Sequence, residues 1–236
     1  MTIRFLALVL LFSSSILNAA SQGGVHGATG VQTSFGGLFK KTDKRLQDFK
    51  DLSRHDFVVP NMIYATKNNF VGENIYGNFN KPLAHFITDE KLQKANDELQ
   101  KLRPGWKFKV YDALRPHHCQ VKLWDKVKGT PQQGYVMDPQ YGSIHSFGFA
   151  LDLTLVNEKG QEVDMGTPVD GLTALSEPRY EDKYLKSGEL SAKQVENRKV
   201  LRKAMVKGGF QTISNEWWHF EALPSNQVRG KYPIYP

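Results

Sequence analysis

The centre of the chain reads SIHSFGFALDLTLV from Ser143 to Val156. From Phe149 onward it is an apolar run with the length of one strand, interrupted only by Asp152 and Thr154, which is typical of a strand inside a sheet. Because side chains alternate along a strand, Asp152 and Thr154 are predicted to share one face. A carboxylate in such a run is costly to bury unless a cation or a metal ion pairs with it.

Helix and strand patterns lie on both sides of this strand. Helical spacing of apolar residues predicts a helix over residues 88–102, and alternation of apolar and charged residues predicts a strand over 106–110. A capping-box pair opens a predicted helix over 191–207, and residues 217–222 have the pattern of another strand. Strands and helices do not alternate regularly, so we predict one α+β domain, with a small antiparallel sheet, flanking helices and a zinc-containing cleft.

The first twenty residues differ from the rest of the chain. Arg4 precedes an apolar stretch from Phe5 to Leu17, and small residues follow it, as in a secretory signal peptide. The alternative is a permanent membrane anchor, but about 13 apolar residues are fewer than the roughly 20 that a spanning helix needs. We therefore expect cleavage near Ala20, export to the periplasm or the medium, and no stable membrane insertion afterwards.

Composition is that of a globular protein. The chain has 236 residues, of which 40% are hydrophobic and 23% are charged. Residues 21–50 are rich in Gly, Ser, Thr and Lys and are expected to form a loosely ordered leader to a domain over 51–236. The formal net charge is +7, but no run of five or more Lys and Arg residues occurs, so a nucleic acid partner is not expected.

Three residues far apart along the chain could hold a metal ion together. His145 could fold back over the start of the strand that contains Asp152, and His219 lies in the segment EWWHFE. A catalytic zinc site commonly has three protein ligands and one open position, and these residues would supply the three. Glu216 would then be a spare carboxylate for general-base chemistry. The alternatives are a buried, hydrogen-bonded Asp152 under a capped loop, and a core strand at 217–222 with incidental polar residues.

Five segments, in order, resemble the motifs of the D-alanyl-D-alanine dipeptidases, the zinc D,D-dipeptidases of peptidase family M15. They are Tyr64–Gly72, Tyr111–Pro116, Ser143–Asp152, Asp164–Asp170 and Glu216–His219. The resemblance implies one zinc ion per chain, held by His145, Asp152 and His219. It also implies hydrolysis of D-alanyl-D-alanine and related D-containing dipeptides to free amino acids.

The resemblance further implies roles for single residues. Glu216 would be the general base, and Arg115 would stabilise the carbonyl oxygen as negative charge develops on it. Ser143 and Asp170 would help to bind the carboxylate and ammonium ends of the dipeptide, and Tyr64 would line the same pocket. Judged alone, each has a plainer interpretation: a surface salt bridge for Arg115, a turn cap for Ser143 and for Asp170, and a core position for Tyr64.

Two departures from the family pattern concern the wall of the expected pocket. Phe147 and Val169 stand where the family more often has Arg and Phe, which leaves the exact dipeptide preference open. A murein D,D-carboxypeptidase or endopeptidase on the same scaffold is an alternative, and it would need an open groove. A non-catalytic zinc-binding module is another, but such a module would need neither Glu216 nor Arg115. The oligomeric state is not predicted.

Cys119 is the only cysteine, so it cannot form an internal disulfide. Its neighbours His117 and His118 raise the possibility of a cysteine hydrolase. We expect these residues on a strand, where adjacent side chains point to opposite faces, and no Asn or Asp is evident to orient a histidine. A functional Cys–His pair is therefore disfavoured.

Overall fold

The structure is a computed structural model that describes residues 43–236, so the predicted signal peptide and most of the predicted leader lie outside the described residues. Within this part, the chain forms seven strands and five α-helices joined by loops and short 3₁₀ turns. In chain order they are β1 (Phe49–Asp51), β2 (Val58–Pro60), β3 (Leu83–His85), α1 (Phe86–Leu102), β4 (Lys107–Asp112), α2 (His117–Val127), β5 (Ala150–Val156), α3 (Glu181–Ser187), α4 (Ala192–Lys207), β6 (Gln211–Thr212), β7 (His219–Glu221) and α5 (Ser225–Val228).

Five of the strands form the central sheet, in the order β2-β4-β5-β7-β6. Strand β2 runs parallel to β4, and the other neighbouring pairs are antiparallel. Strand β5 is buried along its whole length, as its apolar run predicted. The α+β class and the small, mainly antiparallel sheet with flanking helices are confirmed, while the parallel edge pair was not predicted.

The two long helices pack against each other and against the sheet. Leu92 and Leu99 of α1 and Leu201 and Met205 of α4 belong to one buried hydrophobic cluster that includes the strands. The predicted capping box is present at the start of α4, where Ser191 and Gln194 exchange side-chain and backbone hydrogen bonds. In residues 43–236, no helix combines the length and the apolar character needed to cross a membrane.

The folded part of the chain begins before residue 51. Residues 43–50, assigned from their composition to the leader, include a 3₁₀ turn and most of β1, which pairs antiparallel with β3. The ring of Phe49 packs edge-on against His85, with ring centroids 6.0 Å apart. These contacts make Phe49 and Lys50 part of the folded structure.

The prediction of a strand at residues 117–119 is wrong, because these residues form the first turn of helix α2. His118 is exposed and Cys119 is buried, although the Cys119 Sγ lies 3.3 Å from His118 Nε2. The thiol donates to the carbonyl oxygen of Ile75 at 3.1 Å. Burial raises the pKa of Cys119 to about 11, so the thiol stays protonated near neutral pH and is a poor nucleophile.

A bulge at the end of β4 aligns three polar residues across the sheet. The register shifts between Val110 and Asp112, so that Asp112 pairs with Asp152 of β5, which pairs in turn with His219 of β7. Bulges of this kind re-aim side chains at the ends of strands. Residues directly opposite on neighbouring strands share a face, so two carboxylates and one imidazole meet on one side of the sheet.

A tight turn carries His145 to this row. Residues Ile144–Phe147 form a 3₁₀ turn, and Gly148 follows with φ +78° before β5 begins. A Cβ at this glycine would lie 2.3 Å from Cε1 of Phe49, so a side chain is excluded by space as well as by backbone conformation. The carbonyl oxygen of Gly148 accepts hydrogen bonds from the backbone of His85 and the hydroxyl of Thr88, which fix the turn over the sheet.

Candidate active site

His145, Asp152 and His219 meet in one buried cluster. His145 Nε2 lies 3.2 Å from His219 Nδ1 and 3.2 Å from Asp152 Oδ2, and His219 Nδ1 lies 3.0 Å from Asp152 Oδ1. Zinc bonds to nitrogen and oxygen are about 2.0–2.1 Å long, so ligand atoms at tetrahedral corners are roughly 3.3 Å apart. The three observed separations are close to that value.

In each histidine the inner ring nitrogen faces the cluster, and the outer ring nitrogen faces away from it. The hydrogen bond of the outer nitrogen determines whether the inner nitrogen of the neutral ring carries the proton. His145 Nδ1 is 2.9 Å from the carbonyl oxygen of Ala113, and His219 Nε2 is 3.4 Å from a carboxylate oxygen of Glu221. Both oxygens can only accept, so both outer nitrogens donate, and each inner nitrogen of the neutral ring presents a lone pair. Two lone pairs and a carboxylate that face one another suit a divalent cation.

The electrostatics of the cluster favour positive charge. Burial lowers the pKa of His219, but hydrogen bonds to Asp152 and Glu221 outweigh burial and raise the pKa to about 10. Burial alone would raise the pKa of Asp152, yet the neighbouring His145 and His219 hold that pKa well below its usual range. The cluster therefore attracts positive charge strongly, and the His–Asp–His donor set is one that zinc accepts.

Glu216 borders this cluster. It lies on the loop before β7, with one carboxylate oxygen 3.9 Å from His219 Nδ1, and its side chain is buried. Burial raises the pKa of Glu216 to about 8, and the negative charges of Asp152 and Asp170 add to this effect. The carboxylate makes no hydrogen bond to another described residue, so it can contact a molecule bound in the cavity.

Arg115 lies just after β4, with its side chain buried beside the cluster. Its Nε donates to Asp112 Oδ2 at 2.8 Å, its Nη2 forms an ion pair with the same oxygen at 2.6 Å, and its Nη1 donates to Gln120 Oε1 at 2.7 Å. Burial would lower the pKa of Arg115, but the charge of Asp112 more than offsets it, so the guanidinium stays charged. A solvent-exposed salt bridge, the plainer interpretation of Arg115, does not describe this position.

Tyr64 and Asp170 form a hydrogen-bonded pair in the same pocket. The Tyr64 hydroxyl donates to Asp170 Oδ2 at 2.7 Å, and the guanidinium carbon of Arg115 lies 5.2 Å from the centre of the Tyr64 ring. Asp170 has φ +60°, the only positive φ of a non-glycine residue among residues 43–236. Burial raises the pKa of Asp170 to about 7, and the charge of Asp152 contributes to the rise. The side chain of Ser143 is buried nearby and makes no capping hydrogen bond to the turn that it precedes.

All eight residues singled out from the sequence line one cavity of about 480 Å³: Tyr64, Arg115, Ser143, His145, Asp152, Asp170, Glu216 and His219. Residues from 133 to 141 and from 213 to 218 contribute further walls. A volume of this size suits a small molecule. The structure thus brings every predicted site residue to one place.

Three residues of the site were not identified from the sequence: Asp112, Gln120 and Glu221. Asp112 is fully buried and also accepts hydrogen bonds from the Tyr76 hydroxyl at 2.5 Å and the backbone of Ala113 at 2.8 Å. The sequence contained a signal for Asp112, which lies two residues after the predicted strand over 106–110 and three residues before Arg115. For Glu221 the signal was its position two residues after His219 on the same strand face.

Comparison with known proteins agrees with this geometry. Residues 51–235 match the family model described as D-ala-D-ala dipeptidase. The D-alanyl-D-alanine dipeptidase of Escherichia coli strain K12 is 35% identical over 171 residues, which cover 72% of this chain and 80% of that protein.

Two further relatives have the same name. The D-alanyl-D-alanine dipeptidase of Synechocystis sp. is 31% identical over 161 residues, which cover 56% of this chain and 65% of that protein. That of Enterococcus faecium is 28% identical over 175 residues, which cover 66% of this chain and 82% of that protein. The chain therefore belongs to the D-alanyl-D-alanine dipeptidase family of peptidases, as its five ordered motifs predicted.

Proposed function

We propose that this protein is a zinc-dependent dipeptidase that hydrolyses D-alanyl-D-alanine to two molecules of D-alanine. The observation that supports it most is the convergence of three metal-ligand side chains, His145, Asp152 and His219, in a small cavity that also contains Glu216 and Arg115. A bound zinc ion would polarise the scissile carbonyl group and lower the pKa of water.

Glu216 is the general base in this proposal. Its carboxylate removes a proton from the attacking water and delivers that proton to the leaving amine when the peptide bond breaks. A base must be ionised before it can accept a proton, and the positive charge of a cation at the neighbouring cluster favours the ionised carboxylate.

Arg115 stabilises the negative charge that develops on the carbonyl oxygen. A guanidinium has five N–H bonds. The Nε–H donates to Asp112, one N–H on Nη1 donates to Gln120, and one on Nη2 donates to Asp152 Oδ2 at 3.5 Å. The second N–H on Nη1 makes no hydrogen bond to another described residue, so it can donate to a developing oxyanion.

In this proposal the remaining polar groups of the cavity bind the two charged ends of the substrate. Asp170, oriented by the Tyr64 hydroxyl, accepts hydrogen bonds from the ammonium group, and Ser143 donates to the carboxylate. A longer peptide has no charged group at one of these ends, and the buried partner there would lose its hydrogen bonds. That loss favours free dipeptides over longer chains.

The test is a substrate panel on purified protein with its zinc content measured. We expect about one zinc ion per chain and release of D-alanine from D-alanyl-D-alanine, with L-alanyl-L-alanine as the stereochemical control. An intact muropeptide in the same panel tests the carboxypeptidase and endopeptidase alternative. Zinc-loaded protein that leaves D-alanyl-D-alanine intact would refute the proposal, and preferential cleavage of the muropeptide would favour the alternative.

We also propose that residues 1–20 are a signal peptide and that the protein works outside the cytoplasm. The charged, apolar and small-residue regions of this segment support export. N-terminal sequencing of the protein from cell fractions tests it. A chain that starts at residue 21 or close to it, in the periplasm or medium, is the expected result, and an intact cytoplasmic chain would exclude export.

A further inference from the structure

The side chain of Gln120 connects two parts of the cavity. Gln120 is fully buried in helix α2 and is not one of the residues that line the cavity. Its Oε1 accepts the hydrogen bond from Arg115 Nη1 at 2.7 Å, and its Nε2 donates to the carbonyl oxygen of Met137 at 2.6 Å. One amide thus contacts the arginine on one side and the segment around Met137 on the other.

We call the segment of residues 131–141 the pocket wall. It consists of two 3₁₀ turns, Pro131–Tyr135 and Pro139–Tyr141, and most of its residues line the cavity. Two more hydrogen bonds attach this segment: the Tyr135 hydroxyl donates to Glu177 at 2.6 Å, and the Asn215 side chain donates to the carbonyl oxygen of Gly134 at 3.4 Å. The pocket wall is therefore attached towards Arg115 through Gln120 and towards the segment after Asp170 through Tyr135.

The Gln120 amide supports the guanidinium without adding a second negative charge beside it. Asp112 holds one edge of the guanidinium through Nε and Nη2, and Gln120 holds the opposite corner through Nη1. These contacts from two sides fix the guanidinium plane. Because an amide oxygen accepts a hydrogen bond without a full negative charge, Gln120 completes this support while less of the positive charge is neutralised than by a second carboxylate.

We infer that Gln120 is a positioning residue of the reaction, which acts through Arg115 by holding the guanidinium in place against the pocket wall. The inference rests on the proposed function, since it gives Arg115 a role in stabilising the oxyanion. Gln120 itself does not touch the substrate. A residue that acts only through Arg115 has no effect on the reaction once the guanidinium is removed.

A double-mutant cycle tests this directly. Gln120→Leu, which keeps the approximate volume and removes both hydrogen-bonding groups, is made in the parent and in Arg115→Ala, and kcat and KM for D-alanyl-D-alanine are measured on zinc-loaded protein. We expect kcat to fall roughly 10-fold in the parent, as for the loss of a hydrogen bond to a charged group. In the Arg115→Ala background we expect a change of less than about 2-fold, because coupled residues are not additive.

Gln100→Leu is the matched control. The Gln100 amide also makes hydrogen bonds through both its oxygen and its nitrogen, to Asn96, Gly105 and the carbonyl oxygen of Trp106, but it lies outside the cavity. We expect it to lower the melting temperature and leave kcat unchanged. Zinc content and melting temperature are measured for each variant, and Gln120→Met replaces Gln120→Leu in the cycle if the leucine variant does not fold.

Each outcome of the cycle has a distinct meaning. Equal losses of kcat in the two backgrounds would overturn the inference, because they would show a general structural effect. A change confined to KM would overturn it too. An active parent with additive losses refutes only the role of Gln120, whereas a zinc-loaded parent that is inactive refutes the proposed function and this inference with it.

Discussion

Replacement of Asp112 by Asn tests how the buried arginine is stabilised. The substitution keeps the size of the side chain but removes its charge and turns one acceptor oxygen into a donor. In the structure one carboxylate oxygen accepts from Arg115 Nε and lies within ion-pair distance of Nη2, and the other accepts from the Tyr76 hydroxyl and the backbone of Ala113. Whichever oxygen becomes NH₂, it faces two donors.

The size of the expected loss of stability follows from the burial of the Arg115–Asp112 ion pair. The side chains of Arg115 and Asp112 are 9% and 0% exposed, so solvent screens the pair very little. Removing one partner of a buried ion pair costs about 3–5 kcal/mol, because the other charge is left without compensation. For a domain of roughly this size, 1 kcal/mol lowers the melting temperature by about 2–4 °C, so we expect a decrease of about 6–20 °C.

The assay is thermal unfolding by calorimetry, with kcat measured on the folded protein. Glu162→Gln is the control, because Glu162 also accepts from a cation and a tyrosine, Lys109 and Tyr111, but at a partly exposed position. A pair of that kind contributes about 1 kcal/mol or less. If Asp112→Asn lowers the melting temperature no more than Glu162→Gln does, the reasoning about the buried pair is wrong.

Three further predictions concern the ligand cluster and the substrate ends. Glu216→Gln should retain zinc and lower kcat roughly 10²-fold or more, as for a missing general base; loss of zinc in metal analysis would instead make Glu216 a ligand. Glu221→Gln should weaken zinc binding roughly 10- to 100-fold in a chelator competition, since Glu221 orients His219; an unchanged affinity would show that this contact is not needed. The pKa of Asp170 is raised to about 7 in the folded protein, so its ionisation opposes folding, and this cost is absent below the unfolded pKa and complete above about pH 7. Metal-free Asp170→Asn, which can still accept from Tyr64, should therefore gain melting temperature over the parent at pH 8 but not at pH 4, and an equal difference at both pH values would contradict the assignment of the penalty to Asp170.

Elements with strong local signals could be predicted from the sequence. The apolar run that became β5 and the capping box that starts α4 both specify their structure with nearby residues. Helix α2 was missed because it begins with His117, His118 and Cys119, which give no clear periodicity, directly after Pro116. The short strand β1 was missed because its stability comes from pairing with β3, more than 30 residues later.

The residues of the site also fall into those that the sequence predicted and those that it did not. The candidate metal ligands could be proposed from residue type and order alone, because polar side chains such as two histidines and an aspartate are costly in apolar surroundings unless they bind something. The roles of Asp112 and Gln120 could not be predicted, because they depend on three-dimensional features. The role of Asp112 requires the bulge that aligns it with Asp152, and the role of Gln120 requires a helix that brings its side chain back to Arg115.

The close approach of Phe49 to Gly148 has a practical consequence for recombinant work. The phenyl ring fills the space beside the turn that carries His145, so a protein expressed from residue 51, where the family similarity begins, would have a void there and would lose two of the three residue pairs between β1 and β3. Affinity tags and fusion partners should therefore be joined ahead of Asp43, and low solubility of shorter versions would reflect the missing aromatic ring.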